Sequence, residues 1–84
     1  MKAIRLTRHA QEQALERGTD EQEVIAAIRL GLREPARSNR QLCRYNFPFG
    51  RTWGGKAYAI KQVSPVIVEE QHEIVVITVY TFFF

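Results

Sequence analysis

An 84-residue chain has room for one domain, here residues 1–84, and its 45% apolar and 25% charged residues exclude a disordered or low-complexity chain. No apolar run approaches the ~18 residues of a membrane helix, and Met1–Lys2–Ala3–Ile4–Arg5 lacks the apolar core of a signal peptide, so the expectation is a cytoplasmic protein with no membrane contact. The formal net charge is +3, and the lone Cys43 excludes an intrachain disulfide framework and a cysteine-based zinc cluster.

The first element is a helix. Thr7 caps it, residues 8–17 favour it, and Gly18 stops it. Thr19–Asp20 followed by Glu21 and Glu23 is a second cap, with acids where the helix dipole favours them. From Val24 the pattern is amphipathic: at ~100° per residue, Val24, Ile25, Ala27, Ile28 and Leu32 fall within an arc of about 160°. This predicts a helix over 20–32, closed by Gly31 and Pro35, that forms a hairpin with the first. A short leading strand at Ala3–Leu6 is compatible with the pattern.

After Pro35 the apolar period changes to two. Cys43, Tyr45, Phe47 and Phe49 alternate with Arg40, Leu42, Arg44 and Asn46, a strand with one apolar and one largely basic face. Gly50 and Gly54–Gly55 mark a turn, Ala57–Val63 is a second strand, and Ser64–Pro65 interrupts or ends it. Val66–Glu69 is a third strand. Ile74–Thr81, almost all β-branched or aromatic, reads as a central strand covered on both faces. Helices first and strands after predict an α+β domain: two N-terminal helices packed on a four-stranded antiparallel sheet.

Charge is unevenly distributed. Residues 29–61 hold eight basic residues, six of them arginine, against Glu34 alone. Arginine matches phosphate bidentately and stacks on bases, so Arg8, Arg40, Arg44, Lys56 and Lys61 are candidates for nucleic-acid contact. A solvated basic surface explains the same clustering. Phosphate-loop and dinucleotide signatures are absent, and His9, His72 and Cys43 show no metal-ligand spacing, so neither metal nor cofactor is expected. On the first helix, His9, Gln13 and Glu16 share the polar side, with Arg17 at its border and Ala10 and Ala14 opposite. Such a set suits a ligand, and it equally suits a solvated helix face.

Thr7-Arg8-His9-Ala10 through Glu16-Arg17-Gly18, Glu23-Val24, and Val76-Ile77-Thr78-Val79-Tyr80 together resemble domain-of-unknown-function family 4258. Those small bacterial proteins have a first helix reading HA-x-x-R-x-x-x-R-G and a closing strand reading viTvy. Here the first of the two arginines is replaced by Gln13, and residues 33–62 match neither motif. The family in turn resembles the RelE/ParE-like toxins in fold. The resemblance therefore implies a RelE-like fold with an RNA-facing sheet, metal-independent endoribonuclease activity, and a cognate antitoxin-like partner. Attack by an RNA 2′-hydroxyl needs a base, an acid for the leaving oxygen, and a cation for the phosphorane. His9 is the best base or acid, Arg17 and Arg44 the best cations, and Lys61 and Tyr80 further proton donors. This makes His9, Arg17 and Tyr80 the catalytic candidates. Each also has a structural reading: Arg17 in a helix-end ion pair, Tyr80 in the core, His9 as a packed or capping residue.

Three functions remain open on the sequence: a toxin-like ribonuclease, a binding module for RNA or protein without catalysis, and a structural homodimer. A domain this small has a thin core and benefits from association. Tyr80, Phe82, Phe83 and Phe84 are the candidate dimer contact, because apolar patches of that kind mark interfaces.

Overall fold

The computed structural model describes residues 1–84. Its elements are β1 (Ala3–Leu6), α1 (Arg8–Glu16), α2 (Glu21–Leu30), β2 (Leu32–Pro35), β3 (Gln41–Trp53), β4 (Lys56–Glu69) and β5 (Glu73–Phe83). Both caps form as the sequence dictates. The Thr7 hydroxyl accepts from the Ala10 N–H at 3.1 Å, and the Asp20 carboxylate accepts from the Glu23 N–H at 2.9 Å. Gly18 ends α1 at a φ of +79°, where a β-carbon would stand 2.8 Å from the Trp53 ring, so both the conformation and the space require glycine.

The sheet has five strands in the order β1-β5-β4-β3-β2. It is mixed: β1 runs parallel to β5, and the other neighbours are antiparallel. This corrects the expectation of four antiparallel strands. The additions are the leading strand at Ala3–Leu6 and β2, which takes residues expected in or just after the second helix, while the strands expected at Ala57–Val63 and Val66–Glu69 are one strand, β4. That helix stops at Leu30 because Gly31 turns the chain to an extended conformation against β3. A β-carbon on Gly31 would lie 2.4 Å from the Ala27 carbonyl and 2.5 Å from that of Arg44, so only glycine passes between helix and strand. Leu32 leaves the apolar arc of α2 in consequence and is exposed on β2.

The long hairpin also departs from expectation. Gly50 marks a register shift within β3 and not a turn; the turn is at Gly54–Gly55. Pro65 neither ends nor interrupts β4, which continues to Glu69. Pro65 pairs with Val79 on the β5 side, and on the β3 side neither Ser64 nor Pro65 has a registered partner. A proline in an inner strand is tolerated there because no ladder bond needs its missing N–H. Strand β5 is internal over Glu73–Val76, between β1 and β4; from Ile77 onward β4 is its only strand neighbour.

Both helices cover one face of the sheet. The core between them is a cluster of 12 side chains, among them Ala10, Ala14, Val24, Ala27, Ile28, Cys43, Val63, Ile67, Val76 and Val79. Burial raises the Cys43 thiol above its ordinary pKa. The opposite face carries no further layer, so side chains that alternate out of the core along β3, β4 and β5 face outward. The molecule is a ribbon of 41 × 24 × 24 Å, and no helix is long and apolar enough to cross a membrane.

Candidate nucleic-acid interface

The uncovered sheet face is built by strand alternation. On β3, Cys43, Tyr45 and Phe47 turn toward the helices, leaving Arg44, Asn46 and Pro48 on the open side. Register carries the same face across the sheet. Asn46 pairs with Gln62, Gln62 with Phe82, and Ser64 with Tyr80. Tyr80 and Phe82 are 43% and 45% exposed, large values for aromatic rings in a sheet.

Each of those rings has an arginine against it. The Arg44 guanidinium carbon lies 5.8 Å from the Phe82 ring centre, and that of Arg17 lies 5.1 Å from the Tyr80 ring centre. Arg44 is held in place by its neighbours. Its Nη1 donates to Gln62 Oε1 at 3.0 Å, and its Nη2 bridges to Glu34 of β2 at 3.2 Å. Gln62 Nε2 in turn donates to Asn46 Oδ1 at 2.8 Å, and the Ser64 hydroxyl donates to Gln62 Oε1 at 3.3 Å. The open face is therefore a patch of aromatic rings, guanidinium planes and amides, with Glu34 offsetting the charge of Arg44.

Arg17 reaches Tyr80 around the edge of β5. Its Nη1 donates to the Val79 carbonyl at 2.7 Å, while Gln13 Oε1 accepts from the Val79 N–H at 3.1 Å. The Thr78 hydroxyl also bonds to Gln13. One helical turn separates Gln13 from Arg17, so the pair clamps both backbone groups of one edge residue. Gln13, at the position of the first arginine in the quoted motif, is thus committed to the sheet edge. His9 lies one turn earlier on the same stripe. It is exposed, and its side chain takes part in no hydrogen bond or ion pair. The structure brings Arg17 and Tyr80 together and leaves His9 apart from both.

The remaining basic candidates do not converge. Lys61 is a correction to the expected nucleic-acid set. It pairs with Phe47 on the helix-facing side, is 4% exposed, donates to the Gly18 carbonyl at 2.9 Å and bridges to Glu23 at 2.6 Å. Its ammonium group also lies 5.5 Å from the centre of the Phe49 ring. Arg40 precedes β3 in an exposed turn instead of projecting from the strand face. Lys56 is exposed at the opposite end of the ribbon, beside the Gly54–Gly55 turn, and Arg8 is exposed on α1 in an i,i+4 pair with Glu12 at 3.6 Å. Sequence clustering fails here because β3 is an extended strand at ~3.3 Å per residue, which carries neighbouring charges far apart.

The rings behind the tail also divide. Phe83 turns to the helix side, stacked on Trp53 at 5.2 Å and edge-on to Phe49 at 5.1 Å, while Phe82 and Phe84 remain exposed. Sequence reasoning missed two participants of the open face. Glu34 lies on an unforeseen strand, and Gln62 carried no signal beyond its strand position. At the far end of the sheet, Lys2 and Arg33 both bridge to Glu69 and hold its carboxyl below the usual range, as Arg5 does for Glu73. No group of three His, Cys, Asp or Glu side chains is arranged to hold a metal ion. No family model, curated protein or solved structure matches this chain.

Proposed function

We propose that this protein binds single-stranded RNA on the open face of its sheet, as a binding module and not as a nuclease. The observation that carries the reading is the pair of half-exposed rings, Tyr80 and Phe82, each with a guanidinium group against it. Unpaired bases stack on aromatic side chains and on arginine planes, and every base has a face to offer. Alternate residues of a strand stand about 6.6 Å apart, a spacing that suits successive splayed bases. Arg17 and Arg44 supply phosphate contacts, and Asn46 and Gln62 supply uncharged donors and acceptors for base edges. The resemblance to family 4258 agrees, since it implies an RNA-facing sheet.

Cleavage has less support. Arg17 beside Tyr80 is a cation next to a proton donor, but the candidate base, His9, is a separate, exposed group. The test is fluorescence anisotropy with a labelled single-stranded oligouridine, followed by electrophoresis of the recovered RNA. Stacking contributes ~1–3 kcal/mol per base, so Tyr80→Ala and Phe82→Ala should each weaken binding roughly 5- to 150-fold. The RNA should be recovered intact. RNA that is cut by the wild type and spared by His9→Ala would return the protein to the ribonuclease reading, because a general acid or base contributes ~10²–10⁴ in rate.

A further inference from the structure

The outer edge of β5 beyond the clamp is open, and its pattern is self-complementary. Phe84 exchanges both backbone bonds with Ile60 of β4, the N–H at 3.1 Å and the carbonyl at 2.8 Å. Antiparallel ladders alternate, so Phe82 and Tyr80 also turn their backbone groups to β4, and Phe83, Thr81 and Val79 turn theirs outward. Val79 obeys this rule, since its outward groups are the ones that Gln13 and Arg17 hold. Strand β1 covers only Glu73–Val76. The outward N–H and carbonyl groups of Thr81 and Phe83 have no helix, strand or side chain bonded to them. Such an edge is a template for another strand.

We propose that a second copy of this chain fills that edge, β5 against β5 in antiparallel register, with Phe82 facing Phe82 across the two-fold axis. Two features select a second copy. First, this register lets Thr81 of each copy exchange both backbone bonds with Phe83 of the other, using every free group. It stops short of Val79, whose groups are already occupied, so neither clamp need open. Second, the same register places Tyr80 of one copy opposite Phe84 of the other, on the open face. The three exposed rings of each copy, 43%, 45% and 57% accessible, thus meet their counterparts. Phe82 opposite itself occupies a non-hydrogen-bonded position, where side chains approach most closely and aromatic pairs contribute most. No side chain from Ile74 to Phe84 is charged, and Arg17, the cation at this edge, is held at Val79, outside the paired residues. The pairing joins two five-stranded sheets edge to edge and leaves the open face of each uncovered.

The contact is small. Half-buried rings of 150–250 Å² each leave well under the ~1,200 Å² of a standard interface, the size class of weak, transient contacts. Sedimentation of the whole chain across a concentration series should therefore move from 9.8 kDa toward twice that mass. Phe82→Lys and Phe82→Glu change a half-exposed ring and leave the core intact. Each should weaken self-association at least tenfold by setting like charges opposite each other, and their equimolar mixture should dimerise again. Under oxidation Phe82→Cys should form an intermolecular disulfide, since Cα atoms directly opposed at a non-hydrogen-bonded position stand ~4.5 Å apart, within the ~4.4–6.8 Å that a disulfide spans, and Cys43 is buried. A chain that stays monomeric at millimolar concentration overturns the proposal. So does a dimer indifferent to both charged variants, or a mixture that fails to re-form it. An edge whose amides become protected only when a foreign strand is added would likewise overturn it.

Discussion

Replacing Lys61 by methionine separates the structural lysine from the binding surface. Lys61 is 4% exposed, and its ammonium group donates to the Gly18 carbonyl at 2.9 Å while bridging to Glu23 at 2.6 Å. Methionine keeps the stem that packs near Phe49 but leaves the Gly18 carbonyl without its donor. A fully buried orphaned acceptor costs ~1–3 kcal/mol, and the half-buried Gly18 carbonyl falls in the lower part of that range. Glu23 is less penalised: its side chain is 25% exposed and still accepts from the Thr19 hydroxyl at 2.8 Å, so its share falls well below the ~3–5 kcal/mol of a fully buried broken pair. The expected loss is about 2–3 kcal/mol. For a domain of this size each kcal/mol moves Tm by ~4–8 °C, so Tm should fall by roughly 10–20 °C in scanning calorimetry. Affinity of the folded variant for single-stranded RNA, measured well below its Tm, should stay within about twofold of wild type. An unchanged Tm would refute the buried bridge, and a large loss of RNA affinity with full stability would return Lys61 to the binding surface.

Further expectations follow from the edge clamp and the carboxylates. Gln13→Ala leaves the Val79 N–H without its acceptor and should lower stability by ~1–3 kcal/mol in denaturant titration, with faster exchange of the Val79 amide than of the Val76 amide inside the sheet. Glu69, held down by hydrogen bonds from Lys2 and Arg33, and Glu73, held down by Arg5, have depressed folded-state pKa values. Their contribution is present above the ordinary carboxylate value of 4.5 and is lost as pH falls through the folded values, so Tm should drop on acidification below about pH 4.5. Glu69→Gln should flatten that drop, and a Tm profile unaltered by the substitution would count against the bridge.

What the sequence could and could not show divides along local and non-local lines. Thr7, Gly18 and Asp20 act within a few residues, and they set both helix starts and the turn between them. The alternation from Cys43 to Phe49 is equally local and correctly separates Arg44 and Asn46 from Tyr45 and Phe47. Strand β2 was hidden because Leu32–Pro35 is short, charged and adjacent to a helix; only pairing with Gln41–Arg44 makes it a strand. Pro65 read as a terminator because a sequence does not say which neighbour its missing N–H would have faced. The basic segment misled most. Its charges are adjacent in sequence, but an extended strand turns successive residues to opposite faces and separates the ends. Glu34 then returns on a neighbouring strand to offset Arg44. The helix polar face carried no sign that Gln13 and Arg17 would be spent on Val79, because that contact spans more than sixty residues.

The most direct test of RNA binding on the open face is a two-dimensional amide and side-chain NMR titration of the protein with a single-stranded oligouridine. The largest shifts should fall on Arg44, Asn46, Gln62, Tyr80 and Phe82, including the side-chain amides of Asn46 and Gln62, while Arg8, His9, Arg40, Lys56 and Lys61 should move little. Shifts concentrated on His9 and the exposed side of α1, or scattered over the basic ends of the ribbon with the Tyr80–Phe82 patch unmoved, would contradict binding on that face.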